Sequence, residues 1–172
     1  MSSYMKSLLG CSLVVLLFFS IACQGFVGDG EIRQVPSDSV YSHIVVLSPV
    51  VVKQATDLTW SLKNVPTEYY SLQLGIREGD EHFFRQPSRV IRVRLKDAAG
   101  KVLFDVRHDT VDMKAPPSVR GDAPGLVLFY VNGADARLRY GEAYTLSISL
   151  SDFDQPIQIT PRLFATRRPF SP

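Results

Sequence analysis

The chain has 172 residues, 45% hydrophobic and 21% charged, with 11 Gly and 11 Pro, a mixture that fits one globular unit and excludes low-complexity and solenoid architectures. Its 19 basic and 17 acidic residues leave a formal charge of +2, without the clustered excess of Lys and Arg that nucleic acid recruits, so no nucleic-acid partner is expected. Cys11 and Cys23 are the two cysteines, and cleavage between them would rule out an internal disulfide.

Residues 1–6 are short and carry one positive charge, on Lys6. Residues 8–19 (LLGCSLVVLLFF) are strongly apolar, but fall short of the roughly 20 residues of a membrane span. Ser20-Ile21-Ala22 supply small and branched residues before Cys23. This is the tripartite layout of a secretory signal. Ser20-Ile21-Ala22-Cys23 resembles the lipobox of bacterial lipoproteins, with Ser20 departing from the usual Leu. The resemblance implies that Cys23 takes a diacylglycerol, that residues 1–22 are removed, and that the new amine is acylated. It also implies a membrane as partner through the lipid. Gln24, in place of an Asp, favours outer-membrane sorting, facing the periplasm of a Gram-negative bacterium. A rival lipobox ending at Cys11 has almost no apolar stretch before it.

Residues 23–39 are rich in Gly, Pro and polar side chains and read as a flexible tether. The domain is then expected at 40–167, with a frayed tail at 168–172. Within it, alternation of period two recurs, the mark of half-buried strands. Leu58, Trp60 and Leu62 alternate with Thr59 and Ser61, and Tyr70, Leu72, Leu74 and Ile76 with Ser71, Gln73 and Gly75. Ile91, Val93 and Leu95 alternate with Arg92, Arg94 and Lys96; Val102, Phe104 and Val106 follow. Tyr144, Leu146, Ile148 and Leu150 alternate with Thr145, Ser147 and Ser149. The runs 44–52 and 126–131 are apolar on both faces and should be central, or covered on both sides. A last strand, 157–165, contains Pro161 and should lie at an edge or carry a bulge.

Seven or eight strands separated by turns predict an all-β, immunoglobulin-like antiparallel sandwich. A turn at Asp97-Ala98-Ala99-Gly100 would pair Lys96 with Lys101, Leu95 with Val102, Val93 with Phe104 and Ile91 with Val106, and bring Arg92 to Asp105. Leu138-Arg139-Tyr140-Gly141-Glu142-Ala143-Tyr144 resembles the L-x-x-G-x-x-Y corner of immunoglobulin-like and fibronectin-like sandwiches. The resemblance implies that the Tyr144 hydroxyl bonds backbone near the preceding corner. Residues 90–163 resemble small β-sandwich lipoproteins of uncharacterised Gram-negative families, which implies a fold and no particular activity.

No nucleophile elbow, phosphate loop, zinc-helix motif or EF-hand loop is present, so no catalytic residue, metal or cofactor is expected. His43, His82 and His108 are scattered and read as surface residues. Asp105, Asp109 and Asp112 around one strand end, and Asp152 and Asp154 in another loop, read as solvated turn residues; convergence would be needed for Ca²⁺ binding or hydrolysis. His82-Phe83-Phe84-Arg85 follows a charged turn and is the candidate partner-binding loop. Arg92, Arg94, Lys96 and Arg107 form a basic face that reads as solvated. Residues 113–124 form the longest strandless stretch, and Arg120-Gly121-Asp122 within it matches an integrin-binding triplet that recurs by chance.

The expected function is a non-enzymatic binding or interaction module with a possible protein partner. An immunity lipoprotein that blocks a periplasm-delivered toxin is the second reading, and a hydrolase or Ca²⁺-binding domain the third. The sequence carries no signal for oligomeric state.

Overall fold

A computed structural model describes residues 25–80, 89–109, 125–151 and 156–166. Two antiparallel sheets pack face to face as an all-β sandwich, as the alternation predicts. One sheet has the order β1 (Val27–Gly28), β5 (Thr56–Lys63), β10 (Ala143–Leu150), β7 (Val90–Asp97) and β8 (Val102–Asp109). The other runs β2 (Gly30–Gln34), β3 (His43–Leu47), β11 (Ile157–Thr166), β6 (Glu68–Arg77) and β9 (Leu126–Leu138), with β4 (Val50–Val52) also on β11. The described residues hold eleven strands, three beyond the eight read from alternation: β1, β2 and β4.

The core lies between the sheets. Trp60, Leu62, Ile91, Val93, Leu95, Leu146 and Ile148 face it from the first sheet. Val45, Leu47, Leu72, Leu74, Phe129 and Leu163 face it from the second. The Trp60 indole N–H donates to the Ser48 carbonyl at 3.1 Å, which satisfies its polar end inside the apolar layer.

Two strands arise where a tether was expected. Residues 27–34 hydrogen-bond to both sheets: β1 to β5, then β2 to β3. Asp29 is the crossing point. Its N–H donates to the Ser61 carbonyl, its carboxylate accepts from the Ser61 N–H, and its carbonyl accepts from the Ser48 N–H. The glycines that suggested flexibility serve close approach instead. A Cβ at Gly30 would sit 2.3 Å from the Val46 carbonyl oxygen, and one at Gly28 would sit 2.2 Å from that of Ser61.

The β7–β8 hairpin differs in register from the expectation. The Asp97 carboxylate accepts from the N–H groups of Ala99 and Lys101, and the Asp97 N–H donates to the Lys101 carbonyl. Asp97 therefore closes the turn with Lys101, and Lys96 faces Val102. A bulge follows, after which Leu95 faces Phe104, Val93 faces Val106 and Ile91 faces His108. Val102, expected inside, is 44% exposed.

Pro161 lies in an interior strand. Its pairing with β6 is continuous through Pro161 and Leu74. On the other side β11 pairs with β4 up to Ile159 and with β3 from Arg162 onward. The interruption falls where proline has no N–H to give. Neither the expected edge nor a bulge is found: β11 is interior, its register with β6 does not shift, and Pro161 falls in the gap between two partner strands.

The Gly-Tyr corner forms as its resemblance implies. The Arg139 N–H donates to the Tyr144 hydroxyl at 2.8 Å, and that hydroxyl donates to the Glu142 carboxylate at 2.7 Å. Gly141 adopts φ +86°, a left-handed turn that L side chains rarely enter.

Candidate functional site

Cys23 and the loop His82, Phe83, Phe84 and Arg85 lie outside the described residues, as do Asp112, Asp152, Asp154 and the Arg-Gly-Asp triplet. Asp105 is held by two arginines rather than facing a pocket. Among the described residues, no group of three His, Cys, Asp or Glu is placed to hold a metal ion. No helix among them is long and apolar enough to cross a membrane.

His43 is buried, contrary to its reading as a surface residue. Its core-facing position at the start of β3 brings it to Tyr70 on β6. His43 Nε2 lies 2.8 Å from the Tyr70 hydroxyl, which donates to the Pro66 carbonyl at 2.9 Å. His43 Nδ1 lies 3.1 Å from Ser42 Oγ, and Ser42 also bonds the Glu68 carboxylate. These four contacts need four hydrogens, whereas Ser42, Tyr70 and a neutral His43 supply three. Burial lowers the His43 pKa, and Glu68 opposes that shift. The set resembles a nucleophilic triad in composition only. Serine and carboxylate both sit on the Nδ1 side, so no acid orients the ring from behind while Nε2 faces the nucleophile. The adjoining hollow, about 380 Å³, is lined by Val35, Tyr41, Ser42 and Thr166 with the β2–β3 loop.

The outer faces of the two sheets are unlike. On the six-stranded sheet Ile44, Val46, Leu128 and Phe164 form a second apolar cluster. Ser71, Gln73, Thr160 and Arg162 are buried beside them. Alternation assigned Ser71 and Gln73 to solvent, which this face corrects. Only the cross-strand neighbours, apolar on both sides, mark that strand pair as doubly covered.

The outer face of the five-stranded sheet is the open one. Register places its side chains in three rows across β5, β10, β7 and β8. Thr59, Ser147, Arg94 and Asp105 make one row. Asp57, Ser149, Arg92 and Arg107 make the next, and Ser61, Thr145, Lys96 and Val102 the third. Each strand alternates, so its inward residues fill the core and its outward ones stand on this surface. Arg92 binds Asp105 through Nε at 2.7 Å and through its NH2 nitrogen at 2.8 Å. Arg94 Nε adds a third bond at 2.9 Å. The Arg92 hydrogen bond, more than any other contact, lowers the Asp105 pKa to about 2. The basic residues were legible in the sequence. That a Ser/Thr strand would lie beside them was not, because β7 and β10 are far apart in the chain.

His108 ties the two sheets of the sandwich together. Its Nε2 lies 2.7 Å from the Asn132 carbonyl on β9. That contact bridges the edges of the two sheets.

No family model matches the chain, and no characterised protein matches it in sequence. Solved structures do show likeness. The insecticidal δ-endotoxin Cry8Ea1 from Bacillus thuringiensis is 13% identical with a TM-score of 0.38, over 68% of this chain. The chain spans 19% of the endotoxin's length. TmCBM61, solved with β-1,4-galactotriose, is 10% identical with a TM-score of 0.33, over 84% of this chain and 90% of its own. CBM28, a module specific for non-crystalline cellulose, is 9% identical with a TM-score of 0.27, over 81% and 84%. At these scores none bears on the activity of this chain. The described residues form an all-β sandwich in which the middle of one outer face is buried and the other outer face is open.

Proposed function

We propose that the protein is a non-enzymatic binding module, fixed by lipid on Cys23 to the outer membrane and facing the periplasm. Its recognition surface is the open face of the five-stranded sheet. The observation that carries this reading is the contrast between the outer faces. The middle of one is buried, while the other presents hydroxyls and guanidiniums in register across four strands. Rigid placement of polar groups favours recognition, because little side-chain order remains to be lost on binding. The anchor reading is supported by Lys6, the apolar run 8–19 and Ala22-Cys23. Two or more acyl chains give stable attachment where one does not.

Palmitate labelling tests the anchor: wild type takes up label and Cys23→Ala does not. Equal labelling of the two would overturn it. A photo-crosslinking residue at Thr145 or Ser147 tests the face, against a control at Val51, which is 58% exposed on the other sheet. Discrete adducts in intact cells from the first two positions alone are expected. The same adducts from Val51, or none from any position, would refute the assignment.

A further inference from the structure

Arg92 and Arg107 stand directly opposite each other across β7 and β8. Like charges in that position repel. Asp105 offsets Arg92, but it also serves Arg94. Arg92 and Arg94 thus share one carboxylate, and Arg107 is outside that network. Arg107 makes no ion pair or hydrogen bond among the described residues.

Between the two arginines lies a hollow of about 220 Å³, lined by Val90, Arg92, Arg107, Ser149, Leu150 and Ser151. That is smaller than the roughly 300 Å³ at which pockets for whole small molecules begin. It suits one compact group. The donors around it are consistent. Arg92 spends Nε and one terminal nitrogen on Asp105, which leaves the other terminal nitrogen. Ser151 is fixed at the end of β10: its N–H donates to the Val90 carbonyl at 3.1 Å, and its Oγ accepts from the Val90 N–H at 2.9 Å. The hydroxyl hydrogen of Ser151 is then left to donate outward. Asp57 faces Ser149, and Asp109 faces Val90, but neither lines the hollow.

We propose that this hollow is an oxyanion site that takes a phosphate group. Two guanidiniums and two hydroxyls supply donors for three terminal oxygens, more than a carboxylate presents. Two guanidiniums line the hollow, one of them bound to Asp105, and this positive lining suits a phosphomonoester, which is close to dianionic near neutral pH. The site deepens the binding-module reading and rests on it. The phosphate belongs either to a lipid headgroup or to a small soluble molecule.

The test titrates the full-length protein in neutral detergent with inorganic phosphate, at constant ionic strength set by chloride. Amide and arginine side-chain NMR shifts are followed. Saturable shifts at Arg92, Arg107, Ser149 and Ser151 are expected. Arg107→Gln, which alters an exposed side chain, should weaken binding roughly fivefold. Arg107→Lys should weaken it less. Dihexanoyl phosphatidic acid and dihexanoyl phosphatidylcholine then separate the sources. Tighter binding of the phosphatidic acid than of inorganic phosphate assigns a headgroup; the reverse assigns a soluble phosphate. No saturation by either phosphate probe, or equal binding by Arg107→Gln, overturns the site. Crosslinking from Thr145 or Ser147 with no phosphate response would sink this inference and leave the binding face standing.

Discussion

Arg92 reaches diagonally across the β7–β8 ladder to Asp105, whereas Arg94 is the residue directly opposite that carboxylate. The bulge after Leu95 sets this offset. Asp105 thus gathers two guanidiniums from one strand and pins the basic side of the open face. A surface pair in a shared network holds its geometry better than an isolated one.

Asp105→Asn should loosen this arrangement in a pH-dependent way. The native carboxylate has its pKa lowered to about 2, so it binds fewer protons folded than unfolded. Its contribution is full above the ordinary carboxylate value of about 4 and is lost as pH falls through 2. Thermal melts should show a lower Tm for Asp105→Asn at pH 7 and convergence with wild type near pH 2. A constant offset at both pH values would contradict the assignment.

The buried histidine has the same sign of dependence in a different window. His43 has its pKa lowered by burial, so the unfolded chain takes a proton first as pH falls. Its contribution is full above about 6.5 and declines below that value. Urea midpoints of wild type should fall between pH 7 and 5. His43→Phe keeps a ring against Tyr70 and should flatten that part of the curve, whatever its effect at pH 7. An unchanged slope would show that another group titrates.

Tyr144→Phe removes the acceptor of the Arg139 N–H in a part-buried corner. The expected loss is about 1–3 kcal/mol, read from urea denaturation with an unchanged m-value. Burial, more than any other cause, raises the Tyr144 pKa to about 12. The native state therefore binds this proton more tightly than the unfolded chain, where it leaves near pH 10. The corner's contribution is full below pH 10 and is lost as pH rises toward 12.

Gly30→Ala tests whether β2 belongs to the domain. The added Cβ meets a backbone oxygen that cannot rotate away. Protection of the Ile32 and Gln34 amides against hydrogen exchange should fall by at least tenfold, with β6 and β10 little changed. Unaltered protection in residues 30–34 would mean that this segment is held some other way.

How much of this was legible in the sequence depends on the range of the interaction. The strands around Trp60, Leu72, Val93 and Ile148 follow from alternation, since period two has one structural meaning on a half-buried sheet. The corner at Tyr144 was readable because donor, acceptor and turn lie within seven residues. The β7–β8 register was misread because a one-residue bulge leaves no apolar signature. The glycines at 28 and 30 were misread because the same residue serves freedom in a tether and close approach in a sheet.

By itself, the sequence determined a two-layered β fold, its turns, and a basic run on β7, each fixed by residues near one another in the chain. Only tertiary structure decided which outer face is open. Burial of Ser71, Gln73 and Arg162, and the placement of Ser147 and Ser149 beside Arg94 and Arg92, depend on strand order. Strand order is set by packing the whole sandwich at once, so no local pattern encodes it.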